Sequence, residues 1–108
     1  MKFDKYQEKA SLTAMYPKDK ALEYLSLGLT SEAGEVAGKV KKMIRDFGGT
    51  LTDEQRKAIM LELGDVLWYI AQLSTEIGFD MSDVAKNNLD KLSKRKHENK
   101  ITGDGDYR

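Results

Sequence analysis

Leu29–Val40 reads LTSEAGEVAGKV, and Ile59–Ile70 reads IMLELGDVLWYI. At an offset of 30 residues, Leu29, Glu32, Gly34, Glu35, Val36 and Val40 match Ile59, Glu62, Gly64, Asp65, Val66 and Ile70. The apolar positions also correspond. Leu29, Ala33, Val36, Val40, Met43 and Phe47 follow helical spacing, as do Ile59, Leu63, Val66, Ile70, Leu73 and Ile77. Any two amphipathic helices share such spacing, but the common Glu-x-Gly-acid-Val pentad goes beyond it. Two copies do not make a solenoid; they make a pseudo-symmetric helical hairpin.

Outward from this pair, the punctuation predicts four helices. The second runs from about Lys20 to Phe47 and stops at Gly48-Gly49. The third starts at Thr52, where Thr52 and Gln55 fit a capping box, and ends before Gly78. The first spans about Phe3 to Met15 and must end before Pro17, which disfavours helix in its predecessor. The fourth follows Asp80, a fitting N-cap with Asp83 three residues on, and runs to about Lys96. From about residue 98 a Gly- and Asp-rich tail, ending ITGDGDYR, has no helical pattern. No stretch alternates with period two, so the expected fold is all-α, a four-helix bundle in one domain over residues 1–108.

Composition narrows the chemistry. Eighteen basic and 18 acidic side chains give a formal net charge of zero, which argues against nucleic-acid binding by bulk charge. Cysteine is absent, excluding disulfides, cysteine nucleophiles and thiolate metal sites. His97 is the one histidine and lies near a helix end, where it serves best as a favourable C-terminal charge. The longest apolar run, Val66–Ala71, is far shorter than the ~20 residues of a membrane span. The N-terminus MKFDKYQEKA lacks a signal-peptide core. A cytoplasmic protein without membrane association is expected.

Glu32 and Glu35 share one helix face, and Glu62 and Asp65 repeat the spacing. The midpoint between the two pairs falls at Gly48-Gly49. Folding there brings the pairs level to within about one helical turn, ~5.4 Å. Four carboxylates at the margin of a core repel one another and are costly to desolvate. A divalent cation removes both problems, and all-oxygen ligands suit Mg²⁺ first, with Mn²⁺ as a substitute. Solvated face residues paired with Lys39 and Lys42 are the plainer alternative for any one of them.

The flanks favour an anionic ligand. Lys39 and Lys42 follow the first acidic pair on the same side, and Tyr69 occupies the repeat position of Lys39. On the fourth helix Asn88, Lys91 and Arg95 lie on one side, with Asn88 beside the apolar stripe of Met81, Ala85 and Leu92. Lys91 and Arg95 suit phosphate oxygens that a metal leaves unneutralised.

These residues resemble the MazG-like nucleoside triphosphate pyrophosphohydrolases of the all-α NTP pyrophosphatase superfamily. The family pattern E-x-x-E, spacer, E-x-x-D reads here Glu32-Ala-Gly-Glu35, 26 residues, Glu62-Leu-Gly-Asp65. Its fourth-helix signature reads Asn88-Leu-Asp-Lys91-Leu-Ser-Lys-Arg95. Where many members continue Tyr-Pro, this chain has Lys96-His97. The resemblance spans about residues 20–108. It implies hydrolysis of a standard or non-standard NTP or dNTP to NMP and pyrophosphate. It implies Mg²⁺ on Glu32, Glu35, Glu62 and Asp65, with Glu35 also orienting water. Lys91 and Arg95 would then contact phosphates, Asn88 substrate or metal water, and Tyr69 the sugar or base. A phosphoribosyl nucleotide substrate stays open.

Leu61, Leu67 and Trp68 make the third helix apolar nearly all round, as in a central or interfacial helix. A homodimer or homotetramer is expected, with Trp68 packing at the interface in preference to the alternative, a base-stacking platform. Asp104 and Asp106 are expected in a flexible tail, or folded over bound nucleotide. A non-catalytic helical partner-binding module is the competing reading. A ferritin-like di-iron site is disfavoured, because neither acidic helix carries a histidine.

Overall fold

A computed structural model describes residues 1–99 and 101–106. It has four α-helices and, among the described residues, no strand: α1 Phe3–Ala10, α2 Ala21–Phe47, α3 Asp53–Glu76 and α4 Met81–His97. The predicted first helix is shorter than expected. It tightens into a 3₁₀ turn at Ser11–Thr13, and Ala14 is already extended. A second 3₁₀ turn, Lys18–Lys20, follows Pro17 and leads into α2.

The caps fall where the sequence puts them. Thr52 accepts from the Gln55 N–H, and the Gln55 side chain accepts from the Thr52 N–H, both at 3.3 Å. Asp83 accepts from the Asp80 N–H at 3.3 Å. Gly48 ends α2 at φ +61° and Gly49 follows at +79°, a left-handed pair that reverses the chain between α2 and α3. Those two long helices then pack antiparallel along their lengths.

The core is displaced from where the two apolar stripes predict it. Leu25 and Ala71 are fully buried, and Ala10, Tyr16, Ala21 and Met81 join them. All six lie toward the open end of the hairpin or on the elements that cover it. Only α1, α4 and the connecting turns reach that end; near Gly48-Gly49 the fold is two helices thick. The stripe residues Val40, Phe47 and Leu63 therefore remain exposed.

Polar side chains of α1 fasten α4 in place. The Met81 and Ser82 N–H groups belong to the first turn of α4 and have no partner within it. Gln7 accepts from Met81 N at 2.8 Å, and Asp4 accepts from Ser82 N at 2.9 Å. The buried Gln7 amide also donates to Thr75 Oγ1 and to the Phe79 carbonyl, both at 3.0 Å. One side chain thus joins three segments. Gln7→Leu leaves those groups unpaired and should lower stability by about 2–3 kcal/mol; the urea midpoint measures it, and an unchanged midpoint would show the pin to be dispensable.

Candidate metal and nucleotide site

Gly28 on α2 faces Tyr69 on α3. A Cβ at Gly28 would be driven into the Tyr69 ring, so only glycine admits the ring against the α2 backbone. The pair Gly28/Tyr69 is centred on the Gly48–Gly49 bond. So are Glu32/Asp65 and Glu35/Glu62. One antiparallel register therefore sets the aromatic contact and the carboxylates together.

Carboxylate oxygens of Glu32, Glu62 and Asp65 lie within 4.8 Å of one another. Glu32 and Glu62 are half-buried, while Asp65 is exposed. Burial first, then the charges of Asp65, Glu62 and Glu35, push the Glu32 carboxyl above the ordinary range. Glu35 contributes its charge but is exposed and stands outside the triplet. Three of the four expected carboxylates thus converge, with the fourth one turn away. Their donor set is all oxygen, and among the described residues no lysine or arginine ion pair relieves their mutual repulsion. A hard divalent cation fits both features.

A cleft of about 350 Å³ adjoins the triplet, lined by Thr13, Glu32, Asp65, Trp68 and Tyr69. Trp68 and Tyr69 meet edge to face, 5.0 Å between ring centres and 83° between planes. Burial, then Tyr24 and Glu32, push the Tyr69 phenol up. Burial, then Asp65, does the same to Tyr6 on α1. Trp68, expected at a subunit interface, is half-buried and packs within the protomer against both buried clusters. The first helix and its 3₁₀ turn cover it, a placement that periodicity within α3 could not reveal.

The other expected substrate residues lie apart from the cleft. Lys39 is half-buried on α2 and lines neither the cleft nor the triplet. Asn88, Lys91 and Arg95 sit on α4, which packs on α1 and α3. Asn88 is exposed, and Arg95 is buried despite its charge. Asp106 accepts from Lys91 Nζ at 2.8 Å and from Arg95 Nη2 at 3.2 Å, and Arg95 also donates to the Gly105 carbonyl. Those two cations, Lys91 foremost, hold the Asp106 carboxyl below the usual range. The tail carboxylate thus has a definite seat on α4. His97 is exposed in the last turn of α4.

The family model for the MazG nucleotide pyrophosphohydrolase domain matches residues 20–99. The chain belongs to the MazG family. That match spans α2, α3 and α4, and so holds the acidic pairs and the fourth-helix signature together. The Gene 37 protein of Mycobacterium phage L5 is 46% identical over 114 aligned residues covering the whole of both chains. No solved structure matches the chain. No helix among the described residues is long and apolar enough to cross a membrane.

Sequence reasoning missed Gly28 and Thr13. Gly28 carries no local signal because its role is read only against Tyr69, 41 residues later. Thr13 lies in a segment read as ordinary helix.

Glu32 gives the site a pH signature without metal. Its folded pKa lies above the unfolded one, so its contribution to stability is fully present below the unfolded value and is lost as pH rises through the folded one. With a chelator, Glu32→Gln should therefore melt higher than the parent at neutral pH, and the difference should vanish in acid. Millimolar Mg²⁺ should raise the parent melting temperature and close or reverse the gap. Equal melting of both proteins under all conditions would remove the charge strain from the site.

Proposed function

We propose that this MazG-family protein is a Mg²⁺-dependent nucleoside triphosphate pyrophosphohydrolase, cleaving an NTP or dNTP to NMP and pyrophosphate. The carrying observation is the carboxylate triplet opening onto a cleft of nucleoside size. A triphosphate brings about four negative charges, and beside carboxylates it binds only with a cation. Glu32, Glu62 and Asp65, with Glu35 beside them, are the residues to hold Mg²⁺, with Mn²⁺ as a substitute. A divalent cation there supplies charge neutralisation and polarises the phosphoryl oxygens.

Glu35 is the proposed catalytic residue. Its exposure and its place outside the triplet leave it free to orient a water and take its proton. That oxygen attacks the α-phosphorus, the bond to the bridging α–β oxygen breaks, and pyrophosphate leaves. Tyr69 borders the sugar or base, while Lys39, Asn88, Lys91 and Arg95, which lie apart from the cleft, are left to polar groups of the substrate that extend beyond it. Asp106 occupies Lys91 and Arg95 in the free protein, as an anionic ligand would.

A second copy of the chain is part of this reading. The accessible surface is 8186 Å², whereas a folded monomer of this length exposes about 6,100 Å². Its radius of gyration is 16.7 Å against about 13 Å for a compact chain. The surplus of about 2,100 Å² per chain is of the size obligate interfaces bury. Ile44, Met60 and Leu61 contribute exposed apolar surface on the two-helix part of the fold. A homodimer or homotetramer covers it.

Two measurements test this. A panel of NTPs, dNTPs and modified nucleotides with Mg²⁺ should yield NMP and pyrophosphate from some members. Glu35→Gln and Asp65→Asn should each lower kcat/KM at least about 100-fold. Orthophosphate as the product, or full activity in both variants, overturns the mechanism. Sedimentation at micromolar concentration should give a dimer or tetramer; a monomer overturns the assembly.

A further inference from the structure

We infer that Trp68, held in place by Thr13, is the surface on which the nucleoside base of the substrate stacks. This rests on the hydrolase reading for the identity of the ligand, and adds to it the part of the chain that selects that ligand. The cleft lining combines two chemistries. Glu32 and Asp65 are acidic and suited to a metal-neutralised phosphate. Trp68 and Tyr69 are aromatic. A phosphorylated nucleoside combines the matching two: a charged phosphate and a flat π-system. The volume of about 350 Å³ lies at the small end of the range for ligand sites.

The two rings are not equivalent. Tyr69 is committed to the notch at Gly28, which fixes its plane. Trp68 stands across it at 83° and remains only partly buried. Its orientation is set from outside α3. Trp68 Nε1 donates to Thr13 Oγ1 at 2.8 Å, and Thr13 Oγ1 donates in turn to the Ala10 carbonyl at 3.0 Å. This relay uses the donor of the hydroxyl and one of its acceptor sites. Thr13 is therefore a positioning residue, and the indole is the group that meets the base. The 3₁₀ turn at Ser11–Thr13 gives this relay its geometry. Had α1 continued to Met15 as a regular helix, the hydroxyl would be placed differently.

Trp68 is the sole tryptophan in the chain, so its own fluorescence reports the contact. The parent protein, Thr13→Ser and Thr13→Ala are titrated with nucleoside monophosphates and Mg²⁺, and separately with inorganic pyrophosphate and Mg²⁺. Nucleoside monophosphates should quench Trp68 saturably, and pyrophosphate should not. Thr13→Ala should raise KM about tenfold, the size of one base–aromatic stacking contact, with kcat within about twofold. Thr13→Ser should restore both KM and the parental emission maximum. A purely structural Thr13 would move the melting temperature without this split and without rescue of the emission.

Turnover without quenching overturns the stacking assignment alone. So does a parental KM in Thr13→Ala. Saturable quenching by nucleoside monophosphates, with no triphosphate hydrolysed, supports the stacking and overturns the hydrolase reading. Absence of both overturns both.

Discussion

The Tyr69 ring against the α2 backbone at Gly28 fixes how α2 and α3 slide past one another. Everything else in the site follows from that register. Helices packed along their length through aliphatic side chains can shift by a turn with modest change in burial. An aromatic ring in a notch that admits no Cβ cannot shift without losing the notch. Once Tyr69 meets Gly28, Asp65 is brought level with Glu32 by the same centre at the glycine turn, and Glu62, one turn before Asp65, joins them. The contact therefore forces like charges together. The apolar packing of the hairpin works against carboxylate repulsion, and a cation relieves that repulsion.

The same geometry explains why the protomer is thin at one end. α1 and α4 gather around the open end of the hairpin, where Gln7 and Asp4 take up the unpaired N–H groups of α4. Their short span leaves the turn end as two helices with apolar side chains facing outward. The acidic site lies between these regions, with covered aromatic residues on one side and uncovered aliphatic ones on the other. A second copy packed on the thin end would exclude water from the carboxylates of the cleft. Electrostatic interactions inside it would strengthen accordingly.

Much of this was legible in the residues. The pentad repeat and the glycine pair between its copies locate the hairpin, its turn and the level of the acidic pairs. Thr52 with Gln55, and Asp83 after Asp80, mark helix starts through hydrogen bonds confined to four residues. What was not legible depends on contacts between distant segments. The stripes on α2 and α3 predict a core along the whole hairpin, but burial requires a covering element, and α1 is too short to supply it. Trp68 reads as interfacial from α3 alone, because the turn that covers it lies 55 positions earlier. Asp106 reads as free tail, because its partners lie on α4 and charge pairing at that separation has no periodic signature.

Trp68 joins these levels. Its indole packs against the buried residues of α1, α2, α3 and α4 while also bordering a cleft that contains Glu32 and Asp65. Core packing restrains the ring, and the Thr13 relay fixes its rotation. A ring restrained from two sides loses little freedom when a second ring stacks on it, so more of the stacking energy remains for binding. The carboxylate triplet can be described from the two long helices alone. The proposed stacking surface cannot, because it is oriented by the first thirteen residues.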